Sequence, residues 1–363
     1  MKFNILVLGA SYGSLFGTKL LLAGHRVSLV CTRSTAELIN REGTIVRFPI
    51  KGREGLLDVA SKQLPGSLTA TTPEEVDPLP FDLIVLGMQE AQYGSLGVRE
   101  LMPRIARSAR PCLAIMNMPP LPYLKRIPGL ATEPLEPCYA DPRVWLGFDP
   151  ALMTLASPDP QAFRPPDQPK YVLQVGLPTN FKAARFAAAA PTALLRRLEA
   201  DIEAASLPSP LGGEGLGVRG AGIEIPVKLK VHDSPFVPLA KWPMLLAGNY
   251  RCVRKDAMIS IQDAVHGDLA KSRAIYDWTG QLCKRLGADD ADLVPFEKYA
   301  KAAEGLSKPS SAARALFGGA EHIERVDCLI RRIAAQHGLQ SATLDEIVTL
   351  VDERLAKNRA ASI

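Results

Sequence analysis

The chain has 363 residues, long for a single hydrophobic core, so two domains are expected. With 47% hydrophobic and 22% charged residues and a net charge of +5, it is globular, and its scattered basic residues argue against nucleic acid and for a small anion as partner. No run approaches the roughly 18 apolar residues of a membrane span. The six cysteines and five histidines show neither a CxxC pair nor ligand spacing, which argues against a metal site and for a reduced, cytoplasmic protein.

In chain order, "KFNILVLGA" reads as a strand buried on both faces, with too short an apolar run for a secretion signal. "VLGASYGSLFG" follows and opens a helix, "LFGTKLLLAG"; "RVSLVCT" is a second strand, giving a βαβ start. Gly9 allows a tight turn. Ser11 and Tyr12 lead into the helix, and Gly13 permits close helix–strand packing. A pyrophosphate would then meet the helix N-terminus. Relative to the GxGxxG fingerprint, Ser11 replaces the middle glycine and Gly13 comes one residue early. The second strand ends without the Asp or Glu of an NAD site. It carries Arg33 between Thr32 and Ser34, which favours the 2′-phosphate of NADP.

"TIVRF" reads as a short strand. "TPEEV" has the cap, proline and acids of a helix start. "FDLIVLGM" and "CLAIMNM" are further buried strands, and the alternation makes an α/β domain. Residues 119–170 are proline-rich and irregular. "KYVLQVGL" is a strand and "TALLRRLEADIEAA" an amphipathic helix. The Gly-rich segment 206–222 is expected to be a surface insertion, because no strand runs into it and no GK[ST] ends it. From residue 233 to 363 the pattern is helical.

"PLAKWPMLLAGNY" opens that helical region. Lys241 stands in an almost wholly apolar run, where a charge is costly unless it is paired or used. Asn249 is the next polar side chain, eight residues on.

Together these pieces resemble the ketopantoate reductase (2-dehydropantoate 2-reductase) family, over most of the chain, weakly in 119–170 and not in 206–222. The resemblance implies an N-terminal Rossmann-type NADP-binding domain over 1–232 and an all-helical substrate or dimerisation domain over 233–363. It implies NADPH-dependent reduction of a small anionic 2-keto acid, with no membrane or nucleic-acid partner, and is compatible with a homodimer. The family's lysine and its asparagine eight residues on match Lys241 and Asn249; Leu245 replaces the asparagine at the fourth position. The cofactor-side asparagine matches Asn117 in "AIMNMPP", with Met118 for the usual glycine. A serine pair matches Ser310 and Ser311. Gln89 stands where a lysine often follows the "DLIVL" strand. Where the family has a glutamate, "GAEHIERVD" places His322, with Glu321 and Glu324 beside it.

In the roles so implied, Lys241 is the general acid and stabiliser of the oxyanion. Asn249 bonds the substrate, Asn117 orients the lysine or the nicotinamide ribose, and Ser310 or Ser311 binds the carboxylate. Glu324 or His322 takes the orienting role. Two alternatives stay open. One is an opine-type or hydroxy acid dehydrogenase of the same architecture, with His232–Asp233 as an opine-type pair. The other is a non-catalytic NADP-binding protein.

Overall fold

The computed structural model describes residues 2–208 and 222–361; most of the Gly-rich segment, 209–221, lies outside the described residues. Two compact units emerge. The first comprises residues 1–88, 96–116 and 146–233, and the second residues 89–95, 117–145 and 234–363.

Every named strand belongs to the first unit. The buried run forms β1 (Asn4–Leu8), and α1 (Tyr12–Leu22) follows. From Gly13 to Leu22 α1 is buried on all sides, as expected of a helix apolar around its circumference. β2 (Arg26–Val30), α2 (Arg33–Glu42), β3 (Ile45–Pro49), β4 (Leu56–Ala60) and β5 (Ser67–Thr71) come next. They precede β6 (Leu83–Leu86), α3 (Val98–Ser108) and β7 (Cys112–Ile115). β8 (Met153–Ser157), β9 (Gln161–Phe163), β10 (Val172–Leu177), β11 (Phe181–Ala184), α5 (Ala189–Ala204) and β12 (Leu229–His232) complete the unit.

Eight strands make one sheet in the order β12-β11-β8-β7-β6-β1-β2-β5. All its pairs are parallel except β11 against β8. The order runs outward from β1 in both directions, which makes the β1–β6 boundary the switch point of a Rossmann-type sheet. The core beneath it packs Phe16 of α1 edge-on against Phe181 of β11, with ring centroids 5.5 Å apart.

A second sheet, β4-β3-β10-β9, is mixed. The expected strands "TIVRF" and "KYVLQVGL" therefore form, but in this smaller sheet. "TPEEV" does not become a helix. It makes a single turn closed by Val76 N–H to Thr72 O, and Pro78 and Pro80 follow at once. The irregular region also contains two unexpected strands, β8 and β9.

The second unit is helical. It holds α4 (Leu121–Leu124), a 3₁₀ turn over Glu133–Cys138, and a continuous helical run from Val237 to Cys252 that includes α6 (Lys241–Met244). Then come α7 (Ile261–His266), α8 (Leu269–Arg285), α9 (Phe296–Ala303), α10 (Ser311–Phe317), α11 (Val326–Gln336) and α12 (Ala342–Ala361). Among the described residues no helix is long and apolar enough to cross a membrane.

Candidate functional site

In the first unit the turn after β1 is built by glycine. Gly9 has φ +98°, and a Cβ there would lie 2.6 Å from Met88 Cγ and 3.0 Å from Gly87 O. Only a glycine fits between the ends of β1 and β6. Gly87 is held as closely, since its Cβ would stand 3.1 Å from Leu8 O. Gly13 lets α1 lie against β1, because a Cβ there would meet Val7 Cγ1 at 2.8 Å. Ser11 is exposed just ahead of α1, and its carbonyl accepts from Ser14 and Leu15 N–H. Tyr12 turns its hydroxyl to Pro160 O at 2.9 Å. This strand–turn–helix lies at a switch point, the geometry that can receive a dinucleotide pyrophosphate.

Arg33 begins α2 and pairs with Glu75 at 3.0 Å, both side chains more than half exposed. The acid missing from the end of β2 in sequence is thus supplied from beyond β5. Arg164, which sequence reading passed over, donates to Ala10 O at 3.0 Å and adds a second cation at the glycine turn. No pattern in its own neighbourhood marks it, because a contact 154 residues away creates the position.

In the second unit a small cleft is lined by Gln89, Asn117, Asn249, Ser311 and Glu324, with Leu245, Tyr250 and Ile323 among the apolar walls. Five of the sequence candidates thus meet in one place from four separate stretches of chain. Asn117 Nδ2 donates to Glu324 Oε2 at 3.0 Å, which fixes the amide, and its buried Oδ1 has no partner among the described residues. Glu324 is buried, and burial raises its carboxyl above the ordinary range. The Asn117 amide and the N–H groups of Glu90, Met118 and Asn117 oppose that rise by stabilising the charge.

Tyr250 fixes the peptide that carries this glutamate, donating to Glu324 O and accepting from Val326 N–H. Residues 322–325 are not helical, and here His322 is exposed while Glu324 is buried. Glu90, unmarked in sequence, is 1% exposed and accepts from Ala140 N–H at 3.3 Å. Its carboxyl is pushed up to about 7, chiefly by burial, with the Glu324 charge adding to the rise.

Lys241 starts α6, half-buried, and is not among the residues lining the cleft. Residues Leu245–Asn249 form a π turn. An α-helix would carry a residue eight positions on about 80° past two full turns. The wider turn advances fewer degrees per residue and brings Asn249 back towards the Lys241 face. Tyr299 meets the run just before this turn, where its hydroxyl donates to Met244 O at 3.0 Å. Ser310 is committed to structure, capping α10 through Ala313 N–H and donating to Asn249 O at 2.7 Å. Ser311 is exposed and lines the cleft. Of the opine-type pair, Asp233 is 82% exposed and held by Arg196 at 2.9 Å. Among the described residues no cluster of His, Cys, Asp or Glu could hold a metal ion.

Sheet, switch point and helical second unit define a two-domain Rossmann-type protein. No protein-family model matches the chain, and no curated protein matches its sequence. Solved structures do match it. A protein described as a ketopantoate reductase from Ralstonia solanacearum MolK2 aligns over 99% of both chains, with TM-score 0.67 and 14% identity. The 2-dehydropantoate 2-reductase of Methylococcus capsulatus aligns over 98% of this chain and 97% of its own, with TM-score 0.63 and 15% identity. D-Mandelate dehydrogenase in complex with NADH aligns over 98% and 99%, with TM-score 0.59 and 14% identity. The chain has the two-domain fold of the ketopantoate reductases.

Proposed function

We propose that the protein is an NADPH-dependent reductase of a small 2-keto acid, with Lys241 as proton donor. The observation that carries this reading is the Asn117–Glu324 hydrogen bond in a cleft shared with Asn249 and Ser311. Polar groups from distant segments converge there, and one buried acceptor, Asn117 Oδ1, is left for a ligand. The fold it shares with ketopantoate reductases supports the reading.

In this reading the dinucleotide lies at Gly9, Ser11, Tyr12 and Gly13, where the glycines let β1, β6 and α1 pack closely at the turn, and Arg33 would hold the 2′-phosphate. Gln89 and Asn117 are the further cofactor contacts in this reading. When bound, the nicotinamide supplies the hydride. Lys241 gives its proton to the developing alkoxide oxygen and stabilises the charge on it. Asn249 bonds the substrate and Ser311 its carboxylate, since Ser310 is occupied by its cap. Glu324, rather than the exposed His322, fixes the Asn117 amide and thereby its free oxygen. The protein acts as a soluble cytoplasmic enzyme, and its second unit provides the surface for a homodimer.

A second reading is a 2-hydroxy acid dehydrogenase run with NADH, favoured by the Glu75 carboxylate beside Arg33 and by the shared fold of D-mandelate dehydrogenase. One experiment addresses both. NADPH and NADH fluorescence is titrated with the full chain, then turnover is screened over 2-keto acids in reduction and 2-hydroxy acids in oxidation. NADPH-linked reduction is expected. Binding without turnover in either direction would leave a nucleotide-binding protein and sink the enzyme reading.

A further inference from the structure

The second unit holds two thiols in contact that the reductase chemistry does not use. Cys138 closes the 3₁₀ turn at Glu133–Cys138, and Cys328 lies in the first turn of α11. Their sulfurs are 3.3 Å apart, although the residues are 190 positions apart in sequence. Both are free and buried, at 4% and 8% exposure. A disulfide needs about 2.05 Å between sulfurs, so the pair is little more than 1 Å from bonding distance.

We propose that Cys138 and Cys328 form a peroxide-sensitive dithiol, a site of reversible disulfide formation with Cys328 as the attacking sulfur.

The surroundings favour Cys328 for that role. The Cys138 thiol donates to it and the Arg325 and Arg332 guanidinium groups lie near it, and these lower its proton affinity against the opposing effect of burial. The same contact raises Cys138, which keeps its proton. Arg332 reaches this sulfur and also lines an open cleft with Trp278, Arg331 and Leu344. Thiolates beside cations are the reactive cysteines, whereas isolated buried thiols are inert. Burial raises Cys283 and Cys112 to about 12, which places them in the inert class.

The chemistry balances with hydrogen peroxide as oxidant. The Cys328 thiolate attacks one peroxide oxygen, the O–O bond breaks, and the departing hydroxide takes a proton to become water. Cys328 is then a sulfenic acid. Cys138 sulfur attacks it, the S–S bond forms as the S–O bond breaks, and the hydroxyl leaves with the Cys138 proton as a second water. Two thiols are oxidised and one peroxide is reduced to two waters.

The bond would tie the segment that carries Glu324 to the segment that hydrogen-bonds the buried Glu90 carboxylate. Ala140, two residues past Cys138, donates to Glu90, and Glu324 lies four residues before Cys328. The inference stands on the thiol geometry and is independent of the reductase reading.

The test treats the full chain with a small excess of hydrogen peroxide and maps peptides without reduction. The expected result is loss of two hydrogens from the intact mass, a Cys138–Cys328 linked peptide, a Tm raised by several degrees, and reversal of all three by dithiothreitol. Cys138→Ser should stop the reaction at a Cys328 sulfenic acid that dimedone traps, while Cys328→Ser should leave Cys138 unoxidised. If either variant fails to fold, the map of the parent protein still decides. Both thiols remaining alkylatable after peroxide, a link through other cysteines, or over-oxidation without the linked peptide would overturn the proposal.

Discussion

Two lysines in apolar helices have opposite meanings. Lys241 is half-buried at the start of α6. If it is the proton donor, Lys241→Met should lower turnover about 10²- to 10⁴-fold. Thermal stability and NADPH affinity should stay near the parent values, since the glycine turn and Arg33 belong to the other unit. Full activity in that variant would remove Lys241 from the mechanism. Lys19, in the middle of α1, is 1% exposed and donates to Ile225 O at 2.5 Å. Burial, with the Lys228 charge adding, lowers its pKa from 10.5 to about 7. The unfolded chain therefore binds more protons between about pH 7 and 10.5, and stability from this group rises with pH across that window. Below about pH 7 both states are protonated and the fold carries the whole cost of the buried charge. Lys19→Met should abolish this group's share of the pH slope in urea midpoints. At pH 6 it should be stabilising by a few kcal/mol, less the roughly 1–3 kcal/mol for a carbonyl that loses its donor. An unchanged slope from pH 7 to 10 would show that Lys19 is not titrating there.

The π turn in the helical run from Val237 to Cys252 is expected to follow from one close approach. A Cβ on Gly248 would lie 2.0 Å from the Tyr299 hydroxyl and 3.1 Å from Ile261 Cγ2, so only glycine leaves room for the bond to Met244 O. Gly248→Ala should cost about 1–3 kcal/mol in urea unfolding, as overpacking does, despite the better helix propensity of alanine. Adding Tyr299→Phe should restore part of the loss, and a cycle with no coupling between the two would refute this origin of the turn. The Gly-rich segment is tested by deletion. Leu207 and Ile223 pair with each other through both N–H groups, at 3.0 and 2.8 Å, so the ends of the segment already meet. Replacing residues 209–221 with a four-residue loop should leave folding and nucleotide binding intact, because loop-closure entropy varies slowly with length. Loss of soluble protein on that deletion would make the segment structural.

For the whole molecule, cofactor choice rests on Arg33. Its exposed pair with Glu75 contributes about 0–1 kcal/mol and yields readily to a phosphate. NADPH should bind more tightly than NADH, and Arg33→Ala should weaken NADPH by about tenfold or more while sparing NADH. Equal affinities in the parent protein would sink the preference for NADP. The sequence alone determined the strand–turn–helix at Gly9, the buried runs of β1, β6 and β7, and the helical pattern from residue 233. These are readable because periodicity, turn chemistry and apolar content act over a few residues. The family resemblance, and not those patterns, marked Asn117, Asn249 and Ser311 as candidates. Only the tertiary structure decided which sheet β3 and β10 join, and that residues 89–95 and 117–145 belong with the helical unit. It separated the buried Glu324 from the exposed His322 by a non-helical stretch where a helix was expected. Asn117 meets Glu324 across 207 residues and Cys138 meets Cys328 across 190. Such contacts are created when separate segments pack together, so nothing in the neighbourhood of either partner records them.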